Sequence, residues 1–208
     1  FLTYTTREGL TSDNVRALCP GRDGSVWIAT AGGGLNRLKD GRVTAWREAD
    51  GLPSDHVSAL LEDRNGTLWV GTNLGGAARF SRGRFVPLGP AQGLPHHDVR
   101  AFLEDRGGNV WIGTIGGGLT RVGPDGALRV FTTAKDGLPT ERVIALAEGP
   151  RGEIWIGSSG GGVARYAEGR FRSFTTRDGL SSNRVIALRV DPDGTAWAGT
   201  SGGGLNRI

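Results

Sequence analysis

The sequence predicts an all-β fold, a β-propeller of five four-stranded blades forming a single domain over residues 1–208. Three periodicities predict it. Trp27, Trp69, Trp111, Trp155 and Trp197 recur at spacings of 42, 42, 44 and 42 residues. Gly9, Gly51, Gly93, Gly137 and Gly179, each followed by leucine, keep the same spacings, as do Arg37, Arg79, Arg121, Arg165 and Arg207. Four short strands in a repeat of about 42 residues make one propeller blade.

Each repeat holds four strand candidates and no helix. In the second, "VSALL" (57–61), "TLWVGT" (67–72), "AARFS" (77–81) and "RFVPL" (84–88) are the first to fourth strands. Turn-forming residues part them: Asp63-Arg64-Asn65-Gly66, Leu74-Gly75-Gly76 and Arg82-Gly83. The two extra residues of the third repeat are expected in its last hairpin, around "GPDG" (123–126), where a turn absorbs length cheaply. Phe1–Thr6 aligns with Phe171–Thr176, a fourth strand, while the chain stops after a third strand at Ile208. The N-terminal strand is therefore expected to complete the last blade, one strand from the N-terminus joining three from the C-terminus.

Composition narrows the function. The net charge is +4, and of 25 basic residues only Lys39 and Lys135 are lysine. Basic and acidic residues alternate, as in "EDR" at 62–64 and 104–106, and no basic run or aromatic platform forms. No nucleic-acid partner is expected. No apolar run approaches the length of a membrane span, so no membrane contact is expected of this segment. Cys19 is alone, which excludes an internal disulfide and suits a small buried side chain. The chain opens on Phe1 and contains no methionine, which points to a processed, excerpted or engineered start.

The glycine runs invite a phosphate-loop reading. In "WIGTIGGGLTR" (111–121) a strand falls into Gly116-Gly117-Gly118. The spelling is neither a dinucleotide fingerprint nor a P-loop. The following Leu119-Thr120-Arg121-Val122 alternates like a strand, so the run is a turn between strands. The recurrent tryptophans are expected to pack between blades, and the recurrent arginines to brace backbone or carboxylates. Trp46 falls outside the periodic set and reads as a surface anchor on an outer strand.

Alternating strand direction puts the glycine runs and the "GLPSD"-type segments at one end of every blade. Function is expected where the repeats differ there. The residue before the first-strand valine is Asn14, His56, Asp98, Arg142 or Arg184, and the one before it is Asp13, Asp55, His97, Glu141 or Asn183. The residue before the glycines is Ala31, Asn73, Ile115, Ser159 or Ser201, and Leu74 interrupts one run. All three histidines, His56, His96 and His97, fall in two adjacent repeats with Asp98 and Asn73. The candidate ligand-binding residues are therefore His56, Asn73, His96, His97, Asp98, Asn14, Arg142 and Arg184. Their spacing is not a metal motif, and the chain reads as carrying no hydrolase elbow or zinc-protease motif. No catalytic residue, metal or cofactor is assigned.

"FTTRDGLSSNRVIAL" (174–188) and "DGLPSDHVSALLEDRNGTLWVGTNLGGAARF" (50–80) resemble the two-component regulator propeller repeat. The resemblance covers essentially the whole chain. It implies an extracytoplasmic or periplasmic sensor propeller of a bacterial hybrid two-component regulator, with signalling output outside this chain. The family typically builds seven-bladed rings, and five repeats depart from that. The expected function is non-catalytic recognition of an oligosaccharide or other polar ligand. A protein-interaction scaffold, or a repeat array without a ligand, is the alternative, and an enzyme is a third reading for which nothing marks a nucleophile or substrate.

Overall fold

The computed structural model describes residues 1–208. The chain packs as two compact units, Phe1–Val99 and Arg100–Ile208. The first unit holds two sheets, each an antiparallel meander in chain order. One contains β1 (Val15–Pro20), β2 (Val26–Thr30), β3 (Gly34–Lys39) and β4 (Arg42–Trp46); the other contains β5 (Val57–Glu62), β6 (Leu68–Thr72), β7 (Ala77–Ser81) and β8 (Arg84–Leu88). The second unit holds three. Its first contains β9 (Val99–Glu104, starting at the unit boundary), β10 (Val110–Thr114), β11 (Leu119–Val122) and β12 (Leu128–Phe131). Next come β13 (Val143–Glu148), β14 (Ile154–Ser158), β15 (Val163–Ala167) and β16 (Arg170–Phe174), then β17 (Val185–Val190), β18 (Ala196–Thr200) and β19 (Gly204–Arg207). The four strands of the second repeat fall within one residue of their expected bounds.

One expectation is left open and another changes. The last sheet has three strands and Phe1–Thr5 forms none, so closure of the last blade by an N-terminal strand is not shown. The repeats also contain short helical turns between fourth and first strands: single 3-10 turns at Thr6–Glu8, Glu48–Asp50, Pro90–Gln92 and Thr176–Asp178, and one α-helical turn, α1 (Thr133–Asp136). Each ends on a left-handed glycine, the Gly of the recurrent Gly-Leu pair, as at Gly51 with φ 94°. The extra residues of the third repeat are consequently divided. Register pairs Leu119 with Phe131 where the second repeat pairs Ala77 with Leu88, which leaves one of them in the hairpin. The other widens a 3-10 turn into α1.

Within each unit the cores lie between successive sheets. Leu35, Trp27 and Ala29 of the first repeat pack with Leu52, Val57 and Val70 of the second. Trp111 and Leu119 pack with Leu138, Val143 and Ile156, and Trp155 and Val163 with Leu180 and Val185. The tryptophans do pack between repeats: Trp27 meets Phe80 edge-on at 5.7 Å, and Trp111 meets Tyr166 at 5.7 Å. Trp46 belongs to the same arrangement rather than to the surface. It lies 5.5 Å from Trp27 and 5.1 Å from Phe80, and it pairs with Leu35 as Phe174 pairs with Val163. Trp46 is thus periodic after all, hidden by Leu88 and Phe131 at the equivalent positions. Cys19 is buried in the first core, and desolvation pushes its thiol pKa up.

The recurrent arginines do more than expected: Arg37 does brace a carboxylate, that of Asp23, but stacking is the wider pattern. Arg37, Arg79, Arg121 and Arg207 pair across the sheet with Trp27, Trp69, Trp111 and Trp197. Their guanidinium carbons stand 5.1, 5.7, 5.9 and 5.9 Å from the ring centroids. Each cation covers the face of its own tryptophan.

The far edge of each indole is tied down. Nε1 donates to Asp63 from Trp69 (2.9 Å), to Asp105 from Trp111 (2.7 Å) and to Asp191 from Trp197 (2.7 Å). Asp63 also accepts the backbone N–H groups of Asn65 and Thr67, so one carboxylate closes the turn and anchors the core. Gly21 stands at that position in the first repeat, where Trp27 donates instead to Glu62 of the next repeat (3.3 Å). The fourth repeat has Gly149 there, and Val190 where Glu62 would be. Trp155 Nε1 is accordingly buried without an acceptor. A buried unmet donor costs about 1–3 kcal/mol. The atoms nearest a Cβ on Gly149 are those of the Glu153 carboxylate, so the paired change Gly149→Asp with Glu153→Thr rebuilds the turn of the second repeat. We expect it to stabilise the chain by about 1 kcal/mol, read as a higher urea midpoint at unchanged slope; Glu153→Thr alone should not raise the midpoint.

Candidate functional site

The loops after β2, β6, β10, β14 and β18 share one end of their sheets with the turns that lead into the next repeat. Backbone hydrogen bonds join them. Within a repeat, the N–H of the residue before the glycines donates to the carbonyl before the first-strand valine: Ala31 to Asn14 (2.9 Å), Asn73 to His56 (3.0 Å), Ser159 to Arg142 (2.9 Å) and Ser201 to Arg184 (2.8 Å). Between repeats, the last glycine of the run donates onward: Gly34 to Asp55 (2.8 Å), Gly76 to His97 (2.9 Å), Gly118 to Glu141 (3.1 Å) and Gly162 to Asn183 (3.1 Å). Thus amides that looked available to a phosphate serve as inter-repeat clasps, and the glycine runs are scaffold.

The side chains at the clasping carbonyls have their own structural task. Asp13 accepts the N–H of Thr6 (2.7 Å), Asp55 that of Glu48 (2.9 Å) and Asn183 that of Thr176 (2.9 Å). Glu141 accepts the hydroxyl of Thr133 (3.1 Å). The first three cap the first N–H of a helical turn, whereas Glu141 holds only the side chain of its first residue. In the third repeat that residue is Pro90, which has no N–H to cap, and the capping position carries His97. His97 is exposed and released from this duty. Sequence comparison between repeats could have shown this from the proline alone.

The candidates of the first unit form one sector. The loop Asn73-Leu74-Gly75-Gly76 is flanked by His56, whose carbonyl holds Asn73, and by His97, whose carbonyl holds Gly76. His56 and His97 are exposed, and the imidazole rings of His96 and His97 lie 6.5 Å apart. His96 is partly committed, because its Nδ1 accepts the N–H of Asp98 (3.1 Å). Asp98 is half-buried beside it. Leu74, at a site where the other repeats use left-handed glycines, is 71% exposed and does not adopt a positive φ. Asn73 Oδ1 is buried with no hydrogen-bond donor near it. Asn14 is exposed in the same unit, bound through its backbone to Ser12 and Ala31. Arg142 and Arg184 are exposed in adjacent repeats of the second unit. No group of three or more His, Cys, Asp or Glu is placed to hold a metal ion.

One motif departs from the expectation that no hydrolase elbow is present. Gly157–Gly161 and Gly199–Gly203 both spell Gly-x-Ser-x-Gly, the hydrolase elbow. An elbow turns a strand into a helix, whereas these turn β14 into β15 and β18 into β19. The backbones of Ser159 and Ser201 are clasped to Arg142 and Arg184, as above. A depression of 570 Å³ lined by Arg165, Arg170, Phe171 and Arg172 is at the β15–β16 hairpin, the opposite end of the sheet.

The two-component regulator propeller model matches residues 9–32, 51–74, 93–116, 137–160 and 179–202. The chain belongs to this propeller family. Each match runs from the Gly-Leu pair to the start of the glycine run, the segment that supplies the clasp acceptor, core valine and tryptophan. Among solved structures, the propeller is similar to the extracellular domain of a hybrid two-component system of B. thetaiotaomicron, with 30% identity, a TM-score of 0.81, and coverage of 96% of this chain and 28% of that one. A second such domain from B. thetaiotaomicron is 17% identical at a TM-score of 0.76, with 94% and 31% covered. The propeller therefore spans less than a third of the extracellular domains it matches. Virginiamycin B lyase from Staphylococcus aureus shares the fold at 15% identity and a TM-score of 0.74, with 93% and 65% covered. A search of curated proteins found no match. No helix is long and apolar enough to cross a membrane.

Proposed function

We propose that this propeller is a non-catalytic recognition module of an extracytoplasmic sensor, and that it binds a polar ligand of the oligosaccharide class on the Asn73–Gly76 loop and its flanking histidines. The observation that carries the reading is the buried, unmet Oδ1 of Asn73. A buried amide oxygen without a donor is uncommon in a folded protein, and a ligand hydroxyl meets this one once the exposed Leu74 beside it shifts. Around it stand exposed Leu74 and His97, the latter excused from turn capping by Pro90. One apolar contact beside an acceptor and two imidazoles suits a polyol that presents hydroxyls and a C–H face. Similarity to extracellular sensor domains supports the class; the lyase that shares the fold owes its activity to its own residues.

A thermal-shift screen against glycans and small polar metabolites tests it. A hit should raise the midpoint of the wild type by mass action and do so at least tenfold less potently with Asn73→Ala or His97→Ala. Both residues are near the surface, so the unliganded midpoints should move little. A hit that persists at full potency in both variants sinks this site. Capture of a protein partner that is indifferent to them favours the scaffold.

A further inference from the structure

The fourth repeat gathers arginines where the first repeat keeps a carboxylate. In the first repeat, Arg37 Nε donates to the Ser25 hydroxyl (3.1 Å), its guanidinium also reaches the Asp23 carboxylate, and Lys39 joins the same carboxylate at 2.7 Å. One internal acid thus answers two cations. The fourth repeat changes every partner. Counted from the recurrent tryptophan, Arg151 replaces Asp23, Glu153 replaces Ser25 and Ala167 replaces Lys39, while Arg165 keeps the place of Arg37. The Glu153 carboxylate does not stand in for Asp23: it accepts the N–H of Arg151 (2.9 Å) and lies against Gly149. Arg165 Nε is left buried without an acceptor.

Further cations share its face. Arg165 pairs across the sheet with Arg172, and Ala167 with Arg170. Alternation along a strand puts all four side chains on one side of the hairpin. Directly opposed side chains start about 5 Å apart, where like charges repel. Arg172 lies over the Phe174 ring at 5.1 Å, a stacking that leaves its in-plane N–H groups to an acceptor. Around the small Ala167, Arg165, Arg170 and Arg172 line the depression of 570 Å³, and Arg151 with Arg165 lines an adjoining one of 180 Å³. Exposed Glu168 borders both depressions, and Glu153 borders the smaller. Arginines outnumber acids on this face.

We propose that it is an anion site: Arg165 and Arg170, with Arg172 and Arg151 at the margins, bind the carboxylate of a small acidic ligand where the first repeat supplies Asp23. The site is at the hairpin end of its sheet, away from the clasps, and does not rest on the reading given above for the Asn73 loop. A guanidinium fork takes a carboxylate through two parallel hydrogen bonds. A bound carboxylate also relieves the repulsion among the arginines. A free polycarboxylic acid and a saccharide of uronic acids present the same group, so the experiment carries an arm for each.

Calorimetric titration of the 208-residue chain with citrate and with trigalacturonate, at one ionic strength held by sodium chloride, tests it. At least one of the two should saturate a single site per chain, and the tighter of them identifies the source. Arg165→Gln and Arg170→Gln should each weaken that binding about tenfold, as expected for loss of a hydrogen bond between charged groups. Arg151→Asp restores the acid of the first repeat and should abolish binding, because an internal carboxylate then occupies the place. Arg177→Asp makes the same change in net charge on an exposed helical turn and should leave affinity within about twofold. Arg151 and Arg170 are exposed, so their variants should keep the circular dichroism of the wild type and remain readable even if Arg165→Gln fails to fold. A wild type that binds neither acid overturns the proposal. Binding that survives Arg170→Gln and Arg151→Asp overturns it too, as does equal weakening by Arg177→Asp, which would mark a response to net charge alone.

Discussion

Trp111→Ala should cost about 3–5 kcal/mol of folding stability, the range for removing a buried large aromatic side chain. That is a large part of the 5–15 kcal/mol typical of a whole domain. Three things fail at once. Trp111 is 3% exposed and packs on Phe131 at 5.6 Å and Tyr166 at 5.7 Å, so its removal opens a cavity between two repeats. The Arg121 guanidinium loses the ring it covers at 5.9 Å. The turn carboxylate of Asp105 loses the 2.7 Å indole bond, keeping Asn109. Trp111→Phe retains part of the ring and should cost distinctly less. Urea denaturation of the three proteins orders them. Near-equal midpoints for wild type and Trp111→Ala would show that the inter-repeat aromatic cluster does not hold the fold.

Gly162→Ala is the second large effect, and its cause is backbone rather than core. Gly162 has φ 72°, which costs an alanine roughly 1–2 kcal/mol. The new Cβ would also be driven into the Phe174 carbonyl oxygen and its carbon. Overpacking against backbone adds about 1–3 kcal/mol. The residue cannot move aside, because its N–H clasps Asn183 and its carbonyl accepts both the N–H (3.1 Å) and the hydroxyl (2.8 Å) of Ser158. Gly169→Ala is the matched control: φ is 78°, yet nothing lies within 4 Å of its added Cβ. It should show the dihedral cost alone. Equal losses at the two positions would remove the steric argument.

Much of the fold could be read from the chain because the repeats state the same sentence five times. Strand bounds in the second repeat followed from alternation and turn residues alone. What escaped was whatever depends on two repeats together. Trp46 looked solitary because leucine and phenylalanine do its work elsewhere, and only packing against Trp27 and Phe80 shows the shared role. The carboxylate brace expected of the arginines holds at Arg37, which reaches Asp23, but their stacking on tryptophan was hidden, since a sequence cannot tell which side chain lies across the sheet until register is set. The helical turns are too short for helical periodicity to appear. The N-terminal strand was inferred from likeness to β16, but likeness supplies a sequence able to pair, not the pairing. At the site, the histidine sector was visible as the least regular part of the pattern. The freeing of His97 by Pro90 was legible too, but only once the seven-residue step from turn to cap was known to carry a hydrogen bond.

The clasps between repeats have a consequence for how such a surface can change. Their donor is always a glycine amide and their acceptor always a main-chain oxygen, at Asp55, His97, Glu141 and Asn183. Every residue type owns that oxygen. An acid, an imidazole or an amide can therefore be exchanged at the acceptor without altering the bond that joins one blade to the next. Where Pro90 also lifts the need for a cap, the side chain is unconstrained on both counts. Binding preference can be rewritten there, one residue at a time, by a lineage or by a library, while the joints of the protein go on being made by atoms that mutation does not touch.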